Sequence, residues 1–387
     1  MARSMLFGRR IHLAGSILED AAVASTENVD MARQFVEGLT KELMRRGATV
    51  VLPVDAEKTR SADCRPICFD WLIWRTIHAN LTVRPAGAPD PLVIAVQHHK
   101  NEAQVPPEYH SIWDDLRGSD RVQIENVSHW NMNSKRMEAQ ARVGDLLLTL
   151  GGGEGVLFLA NLYHDAGKPV LPLNFPVVPP GAGSLRLFDH GLSSSFAPRL
   201  FQTTGQLPHA WINRINFTSR TTVQQRVQQV MDLLEDLAPP RSFAVRLLDP
   251  KHADFPDVQS HFDTVVKPVI EGDLGYTLTV IDGKGPYDQA RIDQEIFTKL
   301  QRSSLVVVDI TGMRPNCFLE FGYALGRPLP VILMMREGGS QPFDIATFAC
   351  HRWTTDGDVE SRRQALRQHH NAVRNRPPIV PVDPLIS

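Results

Sequence analysis

The sequence predicts an α/β protein built of two Rossmann-like domains, each with a mainly parallel sheet flanked by helices. Three observations carry that expectation. Short apolar runs such as Asp145–Leu150 (DLLLTL) and Leu305–Ile310 (LVVVDI) have the length and composition of fully buried strands. Segments with apolar residues at helical spacing alternate with them, which places helices on both faces of a sheet. The pattern then restarts after Pro239-Pro240, so that the 387 residues divide into domains 1–238 and 241–387.

The elements follow in order. Arg10–Ala14 (RIHLA) reads as a short strand ending at Gly15-Ser16. Val29–Arg46 carries Met31, Phe35, Leu39 and Leu43 at helical spacing, Gly47 stops it, and Ala48–Pro53 is the next strand. Phe69–Asn80 reads as a helix and Pro91–Gln97 as a strand, whereas His98–His129 is polar and irregular. Helix Ser134–Gly144, strand Asp145–Leu150, the turn Gly151–Gly155, helix Val156–Ala166 and strand Pro169–Leu173 form a second unit. Phe175–Ser195, rich in Pro and Gly, reads as a loop or lid, and Thr221–Leu237 as a helix. The second domain opens with strand Phe243–Leu248, followed by helix Val258–Ile270, strand Tyr276–Ile281 and helix Gln289–Leu300. Strand Leu305–Ile310, a helix from about Asn316 to Leu325 and strand Pro330–Met335 complete it, with a Pro-rich extended tail after them.

Composition removes several function classes. Lys plus Arg is 41 against 43 Asp plus Glu, without the basic excess of a nucleic-acid binder. No run approaches the roughly 18 apolar residues that span a bilayer, and the first ten residues lack the apolar core of a signal peptide. A cytoplasmic protein without membrane or nucleic-acid partners is expected. The four cysteines are too few for a disulfide scaffold, and Cys64 and Cys68 lack a second ligand pair, so reduced thiols and no metal are expected.

Two constellations point to chemistry. Gly151, Gly152, Gly153, Glu154 and Gly155 lie between an apolar strand and a helix. Gly15 and Ser16 end the first strand and fall on the same edge of a parallel sheet. Backbone N–H groups and a helix N-terminus there suit a nucleotide or phosphate. Arg136, Arg142 and Lys168 offer cations nearby, and Trp71 and Trp74 suit either base stacking or the core. The motifs IHLAGS (11–16), MRRGATVVLP (44–53) and Lys135–Leu173 resemble SLOG domains, related to the lysine-decarboxylase-like (LOG) and DprA families. The enzymatic members carry a PGGxGTxxE-type motif, but Val156 and Leu159 stand where its Thr and Glu would fall. The resemblance therefore implies a sensor that binds a nucleotide second messenger, of the cyclic ADP-ribose or cyclic oligonucleotide type, through Gly15, Ser16, Gly151–Gly155 and Arg136.

In the second half Asp309 ends a buried strand, Asn316 suits a helix N-cap, and Glu320 lies early in the following helix, so that both carboxylates are expected to face one pocket. Gly322 suggests the close approach of a backbone or ligand. The run VVVDITGMRPNCFLEFGYALGRPLPVILM (306–334) resembles the nucleoside 2-deoxyribosyltransferase-like and TIR-like group, and Gln341–Ile345 resembles a Pro-Phe-Asp turn of its bacterial TIR-like members. That likeness implies cleavage at an N-glycosidic bond with Glu320 as the catalytic glutamate, assisted by Asp309 and Asn316. Arg246, Asp249, Tyr287 and Phe343 are the substrate-binding candidates. The fused pair resembles antiphage effectors: a signal-activated hydrolase with NAD as substrate, no cofactor, and a homo-oligomeric active form. A nucleoside or nucleotide N-glycosidase, a 2-deoxyribosyltransferase and a non-catalytic nucleotide-binding scaffold are the alternatives.

Overall fold

A computed structural model describes residues 4–98, 101–127, 132–282, 291–327 and 329–374. Tyr287 and the C-terminal tail lie outside the described residues. The chain divides into two compact units, one running to Ala238 and the other starting at Pro239.

The N-terminal unit holds a six-stranded sheet of β1 (Arg10–Ser16), β2 (Thr49–Pro53), β3 (Val93–His98), β4 (Val122–Val127), β5 (Leu146–Gly151) and β6 (Val170–Leu173), in the order β4-β3-β2-β1-β5-β6. Every pairing is parallel. Its helices are α1 (Thr26–Arg45), α2 (Asp70–Ala79), α3 (His110–Arg117), α4 (Met132–Val143), α5 (Glu154–Asp165), α6 (Gly183–Gly191), α7 (Ala197–Leu200), α8 (Pro208–Arg214) and α9 (Val223–Glu235). Period-2 alternation sorts the central strands. Ile11, Leu13, Leu146 and Leu148 join the core under α1, α2 and α9, whereas Leu147 faces α5 through Leu159, Ala160 and Tyr163. Helix α1 begins at Ser25, whose hydroxyl accepts the Asn28 N–H, and buries Phe35, Leu39 and Leu43 on one stripe. Each such side chain contributes about 1.5–3 kcal/mol. Helix α9 starts with a reciprocal cap, in which Thr222 Oγ1 accepts the Gln225 N–H and Gln225 Oε1 accepts the Thr222 N–H.

Within two stretches expected to be irregular, described residues form regular elements. His98–His129 contributes α3 and the edge strand β4, and Phe175–Ser195 contributes α6. Trp113 and Leu116 anchor α3, and the edge position of β4 lets VQIENV stay half-polar.

The second unit holds β7 (Arg241–Val245), β8 (Thr277–Val280), β9 (Leu305–Asp309), β10 (Val331–Arg336) and β11 (Cys350–Trp353), in the order β11-β10-β9-β7-β8, again all parallel. Helices α10 (Phe255–His261) and α13 (Val359–Arg374) cover the face bearing Ala244, Val307 and Met334. Helices α11 (Ile292–Gln301) and α12 (Pro315–Leu325) cover the face bearing Val306, Val308 and Leu333. The expected helix Val258–Ile270 is α-helical only to His261 and continues to Asp273 in wider π-type turns. Pro268, which has no N–H to donate back along the helix, lies in this stretch. Arg363 Nε of α13 donates to the Thr264 carbonyl at 2.9 Å. Both units are therefore α/β with Rossmann-like parallel sheets.

Candidate active site

In an open parallel sheet, ligands bind beyond the carboxyl ends of strands, where neighbouring connections leave for opposite faces. The N-terminal unit has this point between β1 and β5, where Ser16 pairs with Gly151. Much of the glycine pattern has a steric cause. A Cβ on Gly15 would sit 1.8 Å from the Leu150 carbonyl oxygen. Gly151, at φ +67°, would place one 2.3 Å from the Ser16 oxygen. Gly152 N–H donates to that same oxygen at 2.7 Å. Gly153 differs, since a Cβ there meets nothing within 4 Å, and it is exposed beside Glu154 and Gly155 at the start of α5.

Of the cations expected there, Arg136 of α4 donates through Nη1 to Asp55 Oδ2, just beyond β2. Arg142 lies 3.6 Å from Glu125. Lys168 is not a phosphate ligand in this arrangement. Its Nζ donates to the carbonyls of Ala141, Arg142 and Gly144 at 2.7, 3.0 and 2.6 Å, closing the end of α4. Trp71 and Trp74 are core residues. Their indole N–H groups donate to the Asp55 and Pro53 carbonyls, and Trp71 stacks on Tyr109 at 4.8 Å.

Sequence reasoning missed the carboxylates around Arg136. Burial pushes Asp70, at the start of α2, up to about 7, with Asp55 and Glu57 adding to the rise and Arg136 opposing it. Glu57 is raised by burial as well, while the Tyr109 hydroxyl and Arg33 pull it down. The position of Asp55 two residues past an apolar strand (ATVVLPVD) is the signal that would have found it.

The second unit has its switch point between β7 and β9. The connection after β7 carries Arg246, Asp249 and His252, and the one after β9 carries Thr311, Gly312 and Arg314. Arg314 Nη1 lies 3.7 Å from Asp249 Oδ2, across this crevice. His252 Nδ1 accepts the Asp254 N–H at 3.2 Å, so its neutral ring carries the proton on Nε2. Nε2 faces the Gly312 turn, where φ is +77° and an added Cβ would stand 3.2 Å from it. Arg246 donates through Nη2 to Gln259 Oε1 at 2.9 Å, while its buried Nε and Nη1 have no partner among the described residues. Burial holds its guanidinium below the usual value, against the carboxylates of Asp263, Asp309 and Asp282.

Asp309 and Glu320 do not share one face. Alternation along β9 sends Asp309 toward α10, with Arg246 and Trp353 near it, whereas Glu320 rides on α12 behind the other face. Asp309 is fully buried. Its Oδ1 accepts the Thr311 N–H at 2.8 Å, and Oδ2 makes no hydrogen bond of ordinary geometry among the described residues. Burial pushes it up to about 6, partly offset by Thr311, Trp353 and Arg246.

Glu320 is half-buried and pushed up to about 7, with burial as the cause. Burial raises the Cys317 thiol on the same helix to about 12, with Glu320 and Asp309 adding to the rise. Arg314, not Asn316, occupies the N-cap of α12, because Pro315 suits the first helical position; Asn316 is exposed in the first turn. Gly322 meets nothing within 4 Å in place of the expected close approach, and Phe343 is 92% exposed.

A family model described as "ATP nucleosidase Cap17-like, N-terminal" matches residues 6–234. The chain belongs to this Cap17-like family. Its description places the chain among nucleosidases, enzymes that cut N-glycosidic bonds. The matched stretch contains the β1/β5 switch point with Gly151–Gly155, Arg136 and Asp70, and it stops before the crevice of Arg246 and Arg314. No curated protein matches the chain. Among the described residues, no group of three or more His, Cys, Asp or Glu is placed to hold a metal ion, and no helix is long and apolar enough to cross a membrane.

Proposed function

We propose that this Cap17-like protein is a regulated nucleosidase. In this reading the second unit cleaves the bond between a base and ribose C1′, and the N-terminal unit binds the nucleotide that controls it. The observation that carries the reading is Glu320, a desolvated carboxyl with no salt-bridge partner among the described residues, on the helix that leaves the β7/β9 switch point. A group poised near neutrality serves both as a carboxylate toward an oxocarbenium-like sugar and as a proton acceptor for the attacking water. Asp309, tied to Thr311, holds the turn that launches α12. The likeness of Val306–Met334 to TIR-like and deoxyribosyltransferase-like domains supports an N-glycosidic substrate, and the SLOG-like pattern supports a nucleotide signal at Gly153–Gly155.

NAD and ATP both carry the required bond. NAD follows from the TIR likeness, whereas the family's description favours ATP. In either case the reaction adds water across C1′–N, giving free nicotinamide or adenine and the ribosyl phosphate remainder. Signal-dependent self-association into an antiphage effector completes the reading.

One observation favours a second reading. The family match falls on the unit that holds Asp70, raised to about 7 beside Asp55 and its Arg136 partner. A desolvated carboxyl beside a second carboxylate and an arginine at a sheet's ligand edge suits glycosidic chemistry too. Full-length protein is incubated with ATP or NAD, with and without cyclic nucleotides, and released base is measured. Loss of release in Glu320→Gln with retention in Asp70→Asn supports the first reading. The reverse pattern transfers the chemistry to the N-terminal unit, and no release under any condition refutes both.

A further inference from the structure

The start of α9 borders a groove of about 620 Å³ in the N-terminal unit, walled on one side by Glu27, Met31 and Gln34 of α1 and on the other by Ser219, Arg220 and Thr222. A second hollow of about 340 Å³ shares Arg220 and Thr221 with it and runs on toward Gln225 and Gln228. No residue of the β1/β5 crevice lines either one. Arg220 is exposed and makes no hydrogen bond or ion pair among the described residues. The turn that carries it is nevertheless fixed. Arg226, 3% exposed, donates through Nε to the Thr221 carbonyl at 3.0 Å and through Nη2 to the Thr218 carbonyl at 2.9 Å, and its guanidinium lies over the rings of Phe175 and Phe217. Thr221 Oγ1 accepts the Thr218 N–H at 3.2 Å. A turn held in this way presents Arg220 with little left to order when a ligand arrives.

On the opposite wall the charge of Asp30 is already answered, since Arg65 donates to both its oxygens at 3.1 and 2.8 Å. Glu27 is exposed and has no such partner among the described residues. The described residues that line the two hollows thus offer an uncommitted guanidinium, an uncommitted carboxylate, hydroxyls and amides. They include no aromatic ring on which a base could stack. We propose that this groove binds a phosphorylated sugar without a base. Arg220 takes the phosphate oxygens with its planar fork, and the start of α9 at Val223 adds a helix dipole of the right sign. Glu27 repels a phosphate, so the ligand lies with its phosphate toward Arg220 and its hydroxyls donating to Glu27. The proposed nucleosidase reaction leaves a ribosyl phosphate, so filling the groove reports product to the N-terminal unit. That link rests on the nucleosidase reading, whereas the site itself does not.

Isothermal titration of the full-length protein tests this with ribose 5-phosphate, ribose, inorganic phosphate and adenosine monophosphate. Ribose 5-phosphate is expected to bind at least about tenfold tighter than ribose or inorganic phosphate. Arg220→Gln is expected to weaken it about tenfold, and Arg220→Lys to keep part of the affinity. Glu27→Gln is expected to weaken ribose 5-phosphate and to leave inorganic phosphate no weaker. Both side chains are exposed, so the variants are expected to keep the thermal midpoint of the parent. Equal binding of ribose 5-phosphate and inorganic phosphate means an adventitious ion only and overturns the proposal. So does an absence of binding, or binding that Arg220→Gln leaves unaltered. Tighter, Arg220-dependent binding of adenosine monophosphate overturns it as well, because the base is then read. A protein that binds ribose 5-phosphate through Arg220 yet releases no base from ATP or NAD keeps the site and loses the nucleosidase reading.

Discussion

Glu320 and Asp309 are acids whose folded-state values lie above their ordinary ones, at about 7 and about 6. Their neutral forms are therefore the ones the fold favours. The stability they contribute is complete at acidic pH and is lost as pH rises through those values. Glu320→Gln is accordingly expected to raise the thermal midpoint at pH 8 and to leave it nearly unchanged at pH 4.5, read by calorimetry. If Glu320 acts as a carboxylate, base release climbs between pH 6 and 8 with a midpoint near 7; a flat profile contradicts that role. The glycines offer a second contrast at this scale. Gly15→Ala forces a Cβ against the Leu150 carbonyl and is expected to cost about 3 kcal/mol in denaturant titrations. Gly153→Ala meets open space and is expected to stay within about 0.5 kcal/mol. If Gly153 touches a bound nucleotide, that variant weakens the ligand alone. The place of Glu320 on the helix after a buried strand was legible from the sequence, but its separation from Asp309 was not. A strand-end carboxylate reads the same in sequence whether its side chain lies above or below the sheet.

At the scale of elements, the central strands were the easiest to read. LLLTL and LVVVD are apolar but for one residue each because helices close both faces, and no other environment for such short runs suits so little polarity. Strand β4 escaped because an edge strand keeps polar residues such as Gln123, Glu125 and Asn126. Helix α13 escaped because only Leu366, His370 and Val373 are buried along its 16 residues, too thin a stripe to stand out among its charges. The same helix supports the π-type stretch through Arg363. Arg363→Ala is expected to destabilise the protein by about 1 kcal/mol, with an unchanged denaturant slope, because the Thr264 carbonyl loses the side-chain N–H that Arg363 donates to it. A loss no larger than that of a neutral exposed site would show that water serves the carbonyl equally well.

At the scale of the whole molecule, one plan occurs twice. Each unit has its own core and an all-parallel sheet, and in each the switch point gathers the polar residues that the strands themselves exclude. This common plan was legible because hydrophobic periodicity records layers. The contents of the crevices were harder to foresee. Asp70, His252 and Arg314 lie outside the apolar runs, and only the strand order β4-β3-β2-β1-β5-β6 or β11-β10-β9-β7-β8 brings them to a ligand edge. Lys168 shows what such an arrangement does to ordinary reactivity. With its ammonium hydrogens committed to three carbonyls at the end of α4, its amine has no lone pair to offer an acylating reagent. In a mass-spectrometric labelling series it should lag far behind Lys41, and the moment it begins to acylate marks the loosening of the helix that carries Arg136.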